Sequence, residues 1–330
     1  MNVAKSLAIA CLVAAVLIAG GLLAPKWLLF LATMALSHGL AVLGIVVLMR
    51  GGGASFGQGM FFAIGAYVAA VMPQTLGVTD AVLRSLLGTV AAGVAAALFA
   101  PLLARYRGIF FAMLTLALSM VLYGLLSKSS AVGGTDGLTV AKPTVFGLPL
   151  TPEGADYALY ALTVVLTVLA AWCVTVYNHS VAGLLAQAVR ANWLRVEYLG
   201  ASARRSLATS FVVCALLGGL GGAITGQVLG HVEPDFTNWT TSGEFVFIAV
   251  LAGPQSVAAV FVASLLLEIV RSFSSLYFPN TWQLALGVFL LLVILFRPDG
   301  IGSLWARRRK GRISVRPDAQ PAAPLQERRV

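Results

Sequence analysis

Charged residues divide this chain at nearly regular intervals. Between them lie nine uncharged runs, at 6–25, 27–49, 51–79, 85–104, 108–127, 157–189, 206–232, 245–267 and 272–296. A hydrocarbon core about 30 Å thick takes roughly 20 residues of helix at 1.5 Å per residue, so every run is long enough to cross one. Glycine and polar clusters trim the longer runs to helices near 58–76, 157–177 and 206–230. A soluble fold fails on its supply of charge. Lys and Arg number 22 and Asp and Glu 12, against 59% hydrophobic residues and a mean hydropathy of +0.92. Soluble domains carry about 25% charged residues, and disorder needs the opposite composition. The chain reads as an all-α polytopic membrane protein. Its cysteines, Cys11, Cys173 and Cys214, lie in apolar stretches at no metal or disulfide spacing.

The first run follows Lys5 and is longer than the h-region of about 7–15 residues in a cleaved signal, so it reads as a retained span. Of the net charge of +10, six units lie between Arg297 and the end, where nine basic residues face three acids. The positive-inside rule accounts for such a tail without nucleic acid. With the N-terminus in the cytoplasm, Arg50, Arg105, Arg107, Arg190, Arg195, Arg204 and Arg205 all fall inside. Loops 77–84, 128–156 and 231–244 fall outside. Two further simple spans would then put the basic tail on the wrong side. Gly253-Pro254-Gln255-Ser256 interrupts the run 245–267, and a re-entrant hairpin there restores parity. The expectation is about eight transmembrane helices plus a broken or re-entrant segment near 245–267, with both termini cytoplasmic. A proline kink in an ordinary span is the alternative.

Glycine also interrupts the chain at Arg50-Gly51-Gly52-Gly53-Ala54-Ser55-Phe56-Gly57-Gln58-Gly59, and Gly57, Gly65 and Ala69 form a small-residue stripe suited to close helix approach. A loose echo between 43–70 and 248–270 hints at an internal repeat. The polar and small residues at the two breaks, Ser55, Gln58, Gly253, Gln255 and Ser256, are the candidates for a translocation path. Cut at the charges, the spans hold no Asp, Glu, Lys or Arg. His38 alone lies at depth, where packing is its commoner role. Gly53-Ala54-Ser55-Phe56-Gly57 fits G-x-S-x-G, but that motif needs a strand-to-helix turn and a histidine partner. The chain carries no G-x-x-x-x-G-K-[ST] phosphate loop and no HExxH. It does not read as an enzyme, and any uphill transport draws its energy from another subunit.

Several segments resemble the permease subunits of bacterial branched-chain amino acid ABC importers, specifically the permease with a T-G-G-S/T-D-G-L loop. They include Val132-Gly133-Gly134-Thr135-Asp136-Gly137-Leu138, the run from Arg107-Gly108-Ile109-Phe110-Phe111-Ala112 to Thr115-Leu116-Ala117, and Ser55-Phe56-Gly57-Gln58 through Ile64-Gly65-Ala66-Tyr67. The most specific match is Ser180-Val181-Ala182-Gly183 through Arg190-Ala191-Asn192-Trp193-Leu194-Arg195-Val196-Glu197-Tyr198-Leu199-Gly200. Glu233-Pro234-Asp235-Phe236, Ser242-Gly243-Glu244 and Arg297-Pro298-Asp299-Gly300 also fit. Leu184, Gln187, Trp193, Gln58 and Ile45 depart from the pattern, standing for two basic residues, an acid, a histidine and an asparagine.

The resemblance implies a permease domain over 1–300, with a coupling loop at 178–205, and a basic, disordered cytosolic tail over 301–330. Residues 180–200 would form a helix stopped at Gly200 and seated on an ATPase subunit, with Arg190, Asn192, Arg195, Glu197 and Gly200 as its functional residues. The outside loops would dock a periplasmic or lipid-anchored solute-binding protein through Asp136, Glu233, Asp235 and Glu244. It also implies a second permease subunit as heterodimer partner, two ATPase subunits that bind ATP, no cofactor in this chain, and a place among the lipids of the bacterial cytoplasmic membrane. The implied cargo is a branched-chain or related hydrophobic amino acid. Urea or short amides, small aromatic acids, and a stand-alone solute channel are the alternatives.

Overall fold

The computed structural model describes residues 3–144 and 152–277, together with 281, 284, 287, 288, 291, 295, 301 and 302. Among the described residues ten α-helices follow one another: α1 (Val3–Leu23), α2 (Lys26–Arg50), α3 (Gln58–Thr75), α4 (Ala81–Leu103), α5 (Ile109–Lys128), α6 (Pro152–His179), α7 (Val181–Tyr198), α8 (Ala203–Leu229), α9 (Trp239–Ala252) and α10 (Val257–Tyr277). Among the described residues, seven of them (α1, α2, α4, α5, α6, α8 and α10) are long and apolar enough to cross a bilayer. The chain is a polytopic all-α membrane protein, as its hydropathy requires. The expected tail over 301–330 lies, beyond Gly302, outside the described residues.

α2 and α8 are the buried centre, and almost none of the α1 span is covered. In hydrocarbon, helices gain nothing by hiding apolar surface from water, so association rests on close contact. α8 supplies it with Gly218-Gly219-Leu220-Gly221-Gly222. A Cβ at Gly222 would collide with the Phe62 carbonyl of α3, one at Gly221 with the Ser37 carbonyl of α2, and one at Gly219 with Ala92 of α4. Gly65 of α3 meets the backbone of Gly219 in the same way. Gln58 stitches these helices from within. Its Nε2 donates to Ala41 O at 2.9 Å and Cys214 O at 3.1 Å, and its Oε1 accepts from Cys214 Sγ at 3.0 Å.

The two breaks meet at one end of the bundle. Arg50, closing α2, donates from Nε to Pro254 O at 2.6 Å and from a terminal nitrogen to Gln255 O at 3.0 Å. α7 lies at this end too, with Gly52 packed on Arg190. The opposite end carries a two-residue antiparallel ladder, β1 (Leu138–Thr139) with β2 (His231–Val232). Arg84, fully buried, braces it by donating to Thr79 O and Ala141 O.

After β2 the chain re-enters the bundle through a short 3-10 turn, Pro234–Thr237, rather than an α-helix. Ser119, midway along α5, donates to Thr237 O at 2.7 Å, and Ser242 Oγ accepts from Gly59 N at 3.0 Å. Side chains thus meet the backbone's needs where irregular structure lies inside the protein. α9, about 21 Å long at 1.5 Å per residue, completes the passage to the break at Gly253, where φ is +73°. The break falls where expected, but its arms are unequal. α10 is a full span of 21 residues rather than half of a hairpin. Ile301 N donates to Leu251 O at 2.9 Å, so the chain comes back to the end that holds Arg50.

The expectation of charge-free spans is overturned. Glu244 lies in α9, and Glu268 and Arg271 lie in α10. Pairing lets a helix carry charge at depth, with His38 Nδ1 3.2 Å from Glu268 Oε2 and Arg271 3.3 Å from Glu244 Oε2.

Overpacking costs about 1–3 kcal/mol, occasionally more. Gly222→Val should therefore lower the melting temperature and folded yield in detergent. Gly124→Val on α5, with nothing within 4 Å of the added carbon, should leave both unchanged. Equal losses at the two positions would show that the α8 backbone contacts do not hold the bundle together.

Candidate functional site

The segment most unlike a membrane span is α7. Ser180 caps it, its Oγ accepting from Gly183 N, and a side chain at Gly183 would collide with the Tyr177 carbonyl. The turn out of α6 is therefore tight. α7 is two helical pieces joined at an elbow, because Asn192 is extended at φ −161° and ψ 100°. Asn192 Oδ1 accepts from Arg195 N at 3.0 Å, so this side chain acts as the N-cap of the second piece. At the far end, Gly200 N donates to Glu197 O and Ala201 N to Val196 O, with Gly200 at φ +84°. That is the hydrogen-bond pattern of a Schellman stop, and it needs the left-handed conformation glycine adopts freely.

The elbow is clamped from the α4–α5 loop. The Arg107 guanidinium lies 4.1 Å from the centroid of the Trp193 ring, and one of its nitrogens lies 3.2 Å from Glu197 Oε1. Both contacts are partly exposed, so each contributes on the order of 1 kcal/mol or less. Together they fix the direction of the second piece. A cavity of about 180 Å³ separates α7 from the glycine break, lined by Gly52, Arg107, Phe111, Arg190, Trp193 and Leu207 among others. On its other side Arg190 joins Arg50, Gln187, Pro254 and Gln255 around an open cavity of about 390 Å³. Arg190 therefore stands between the two breaks. Contact runs on toward α3, because Thr115 Oγ1 accepts from Phe56 N and a side chain at Gly57 would collide with the Thr115 carbonyl.

Large apolar side chains stand exposed on α7 and at its C-cap, beside the exposed Gln187, Arg190 and Arg195. Val181 is 83% exposed, Leu184 56%, Tyr198 88% and Leu199 86%. Of the polar residues expected to make contacts there, Arg195 is exposed, Asn192 is a cap, Glu197 is paired and Arg190 faces the breaks.

The residues expected along a path differ in burial and in what they contact. Ser55 and Gln58 are fully buried, and Ser55 Oγ accepts from Gly57 N in a local turn. Gly253, Gln255 and Ser256 lie instead at the end that holds Arg50. Of the expected docking acids, the β1–β2 ladder brings the segments with Asp136, Glu233 and Asp235 together, all three exposed. Glu244 is the exception, drawn into α9 and paired with Arg271. The sequence reading gives Arg50 and Arg107 no functional role. The available signal was that Arg107 opens a matched run and Arg50 opens the glycine-rich break. Among the described residues, no group of three or more His, Cys, Asp or Glu could hold a metal ion.

Comparison with known proteins places this geometry in a family. The family described as "Branched-chain amino acid transport system / permease component" matches residues 27–296. The high-affinity branched-chain amino acid transport system permease protein LivM of Escherichia coli is 28% identical over 294 residues, covering 82% of this chain and 69% of that protein. LivM of Salmonella typhimurium is 29% identical with the same coverage. LivH of Escherichia coli is 25% identical over 261 residues, covering 75% of this chain and 84% of that one. No solved structure matches. With most of its length matched, from the start of α2 past α10, the chain belongs to the family of permease components of branched-chain amino acid transport systems.

Proposed function

We propose that this permease subunit passes branched-chain amino acids from a soluble binding protein into the cytoplasm, driven by ATP hydrolysed on partner subunits. The observation that carries the reading is the set of exposed large apolar side chains of α7. Val181, Leu184 and Tyr198 stand on a helix outside the candidate spans, and Leu199 caps it. Exposed apolar surface gathered on such a helix marks a protein contact. The partner is an ATPase subunit, and its closure moves α7. Arg107, Trp193 and Arg190 carry that motion to both breaks. The relatives' names supply the cargo class.

Arg50, Arg105, Arg107, Arg190, Arg195, Arg204 and Arg205 share the α7 end, which the positive-inside rule supports as cytoplasmic. The opposite end, with Asp136, Glu233 and Asp235, then meets the binding protein. α1, α5 and the outer face of α10 are little covered within this chain. A second permease subunit covers part of that surface, and the match to both LivM and LivH supports a related but different chain in that place.

Affinity purification of the tagged chain from its native membrane should recover an ATPase subunit and a second permease. Tyr198→Asp should lose the ATPase subunit and keep the permease, whereas recovery of the chain alone would overturn the importer reading. Acids at a docking face act chiefly on encounter. Replacing Asp136, Glu233 and Asp235 by their amides should slow association of the binding protein about tenfold at low salt and little at high salt. Stopped-flow association rates across a salt series check this.

A further inference from the structure

Two arginines at the α7 end line one cavity with no acid beside them. Arg50 and Arg190 share an open space of about 390 Å³ with Gln187, Pro254 and Gln255. Basic residues gather at a cytoplasmic end for topological reasons alone, but these two differ from their neighbours in what holds them. Arg107 is paired with Glu197, and Arg204 donates to Pro101 O. Among the described residues, neither Arg50 nor Arg190 has a carboxylate partner. Arg50 is fixed by the bonds that its Nε and Nη2 donate to the carbonyls of Pro254 and Gln255. Its Nη1 has no hydrogen bond among the described residues. The stem of Arg190 is fixed on Gly52, where a Cβ would meet its Cα, Cβ and Cγ within 3.6 Å. Its guanidinium, too, is without a partner among the described residues. Two like charges held at one opening repel, and an anion between them turns that repulsion into two attractions.

We propose that this cavity binds a phosphate group, offered by an anionic lipid headgroup or by free phosphate, and that the bound anion bridges α7 to the end of α2. The planar fork of a guanidinium matches phosphate oxygens and binds them two at a time. The side-chain amides of Gln187 and Gln255 supply further donors on the same wall. A zwitterionic amino acid fits poorly, because no acid among the lining residues receives its ammonium. Arg50 closes a membrane-spanning helix, so the cavity stands where α2 leaves the bilayer, at the level of lipid headgroups. Its open mouth admits a phosphate that is still attached to a larger molecule. Through Arg50 the anion also reaches the break at 253–256, so one ligand ties three elements together. The site does not depend on which solute the permease carries.

The test uses the full-length chain in nanodiscs of phosphatidylcholine, alone or mixed three to one with phosphatidylglycerol. In a background of Cys11→Ala, Cys173→Ala and Cys214→Ser, Gln187→Cys places a thiol on the cavity wall, one turn from Arg190. Val181→Cys, at the exposed start of α7, reports the general effect of membrane charge and salt, and every rate is read against it. In phosphatidylcholine alone, a negatively charged methanethiosulfonate should label the Gln187→Cys thiol about tenfold faster than a positively charged one of similar size. Phosphatidylglycerol, or inorganic phosphate compared with chloride at equal ionic strength, should slow the anionic reagent about fivefold. Protection by the lipid alone assigns the headgroup as the source, and protection by inorganic phosphate assigns the free ion. Arg50→Gln with Arg190→Gln should abolish both the preference and the protection. If that double variant lowers the folded yield, Arg190→Gln alone should cut both by at least half. A preference no greater than that of Val181→Cys, no protection by either phosphate, or protection that survives these substitutions would overturn the proposal and leave the two arginines as topological charges.

Discussion

The carbonyl of Phe62 occupies the space where a side chain on Gly222 would begin. The rest of the bundle is arranged around that contact and its neighbours. Within a bilayer no hydrophobic force draws one helix to another, so helices that pack must offer surface at which many atoms touch. α8 does so on three sides at once, toward α2, α3 and α4. The same smoothness makes room for Gln58, whose amide would clash with side chains at Gly44 or Gly218. Polar stitching inside the membrane is possible here because glycine lets the donors and acceptors approach.

Once α8 is central, both ends of the molecule follow. Its start receives the chain from α7 beside the two breaks, and its end hands β2 to the ladder with β1. Between them the crossing after β2 is assembled from irregular backbone and a short helix. Ser119 and Thr241 donate to the Thr237 and Asp235 carbonyls of the passage, and Ser242 accepts from Gly59 N in the first turn of α3. The cost of irregular chain at depth is thereby offset.

The departures from the family pattern become intelligible in three dimensions. Trp193 replaces an expected acid, yet it gives the Arg107 guanidinium an aromatic face while Glu197 supplies the carboxylate. Leu184 replaces an expected base and joins an apolar surface with Val181 and Tyr198. Gln58, in place of a histidine, fills its hydrogen-bonding capacity among Ala41 and Cys214. The exposed surface of α7 thus carries more apolar area than the resemblance implies, while Arg107 ties its second piece to the α4–α5 loop.

The spacing of charges and glycines alone determined that the chain is helical, that it crosses the membrane many times, and that it breaks at 51–57 and at 253–256. Those features are local. Span length follows from bilayer thickness, and breaks follow from residues that cannot continue a helix. The sequence also marked Gly200 as a stop, since the left-handed turn there is a property of that residue. What it could not decide was which charges lie inside the membrane. Cutting spans at every Asp, Glu, Lys and Arg assumes each is solvated, and so divides α10 at Glu268 and Arg271 and leaves Glu244 in a loop. Only the tertiary structure brings His38 to Glu268 and Arg271 to Glu244, across separations of 230 and 27 residues. A paired charge can enter the bundle where a lone one cannot. Pairing depends on which helices are neighbours, and that was settled by the backbone contacts of α8, α2 and α3, far from the charges themselves.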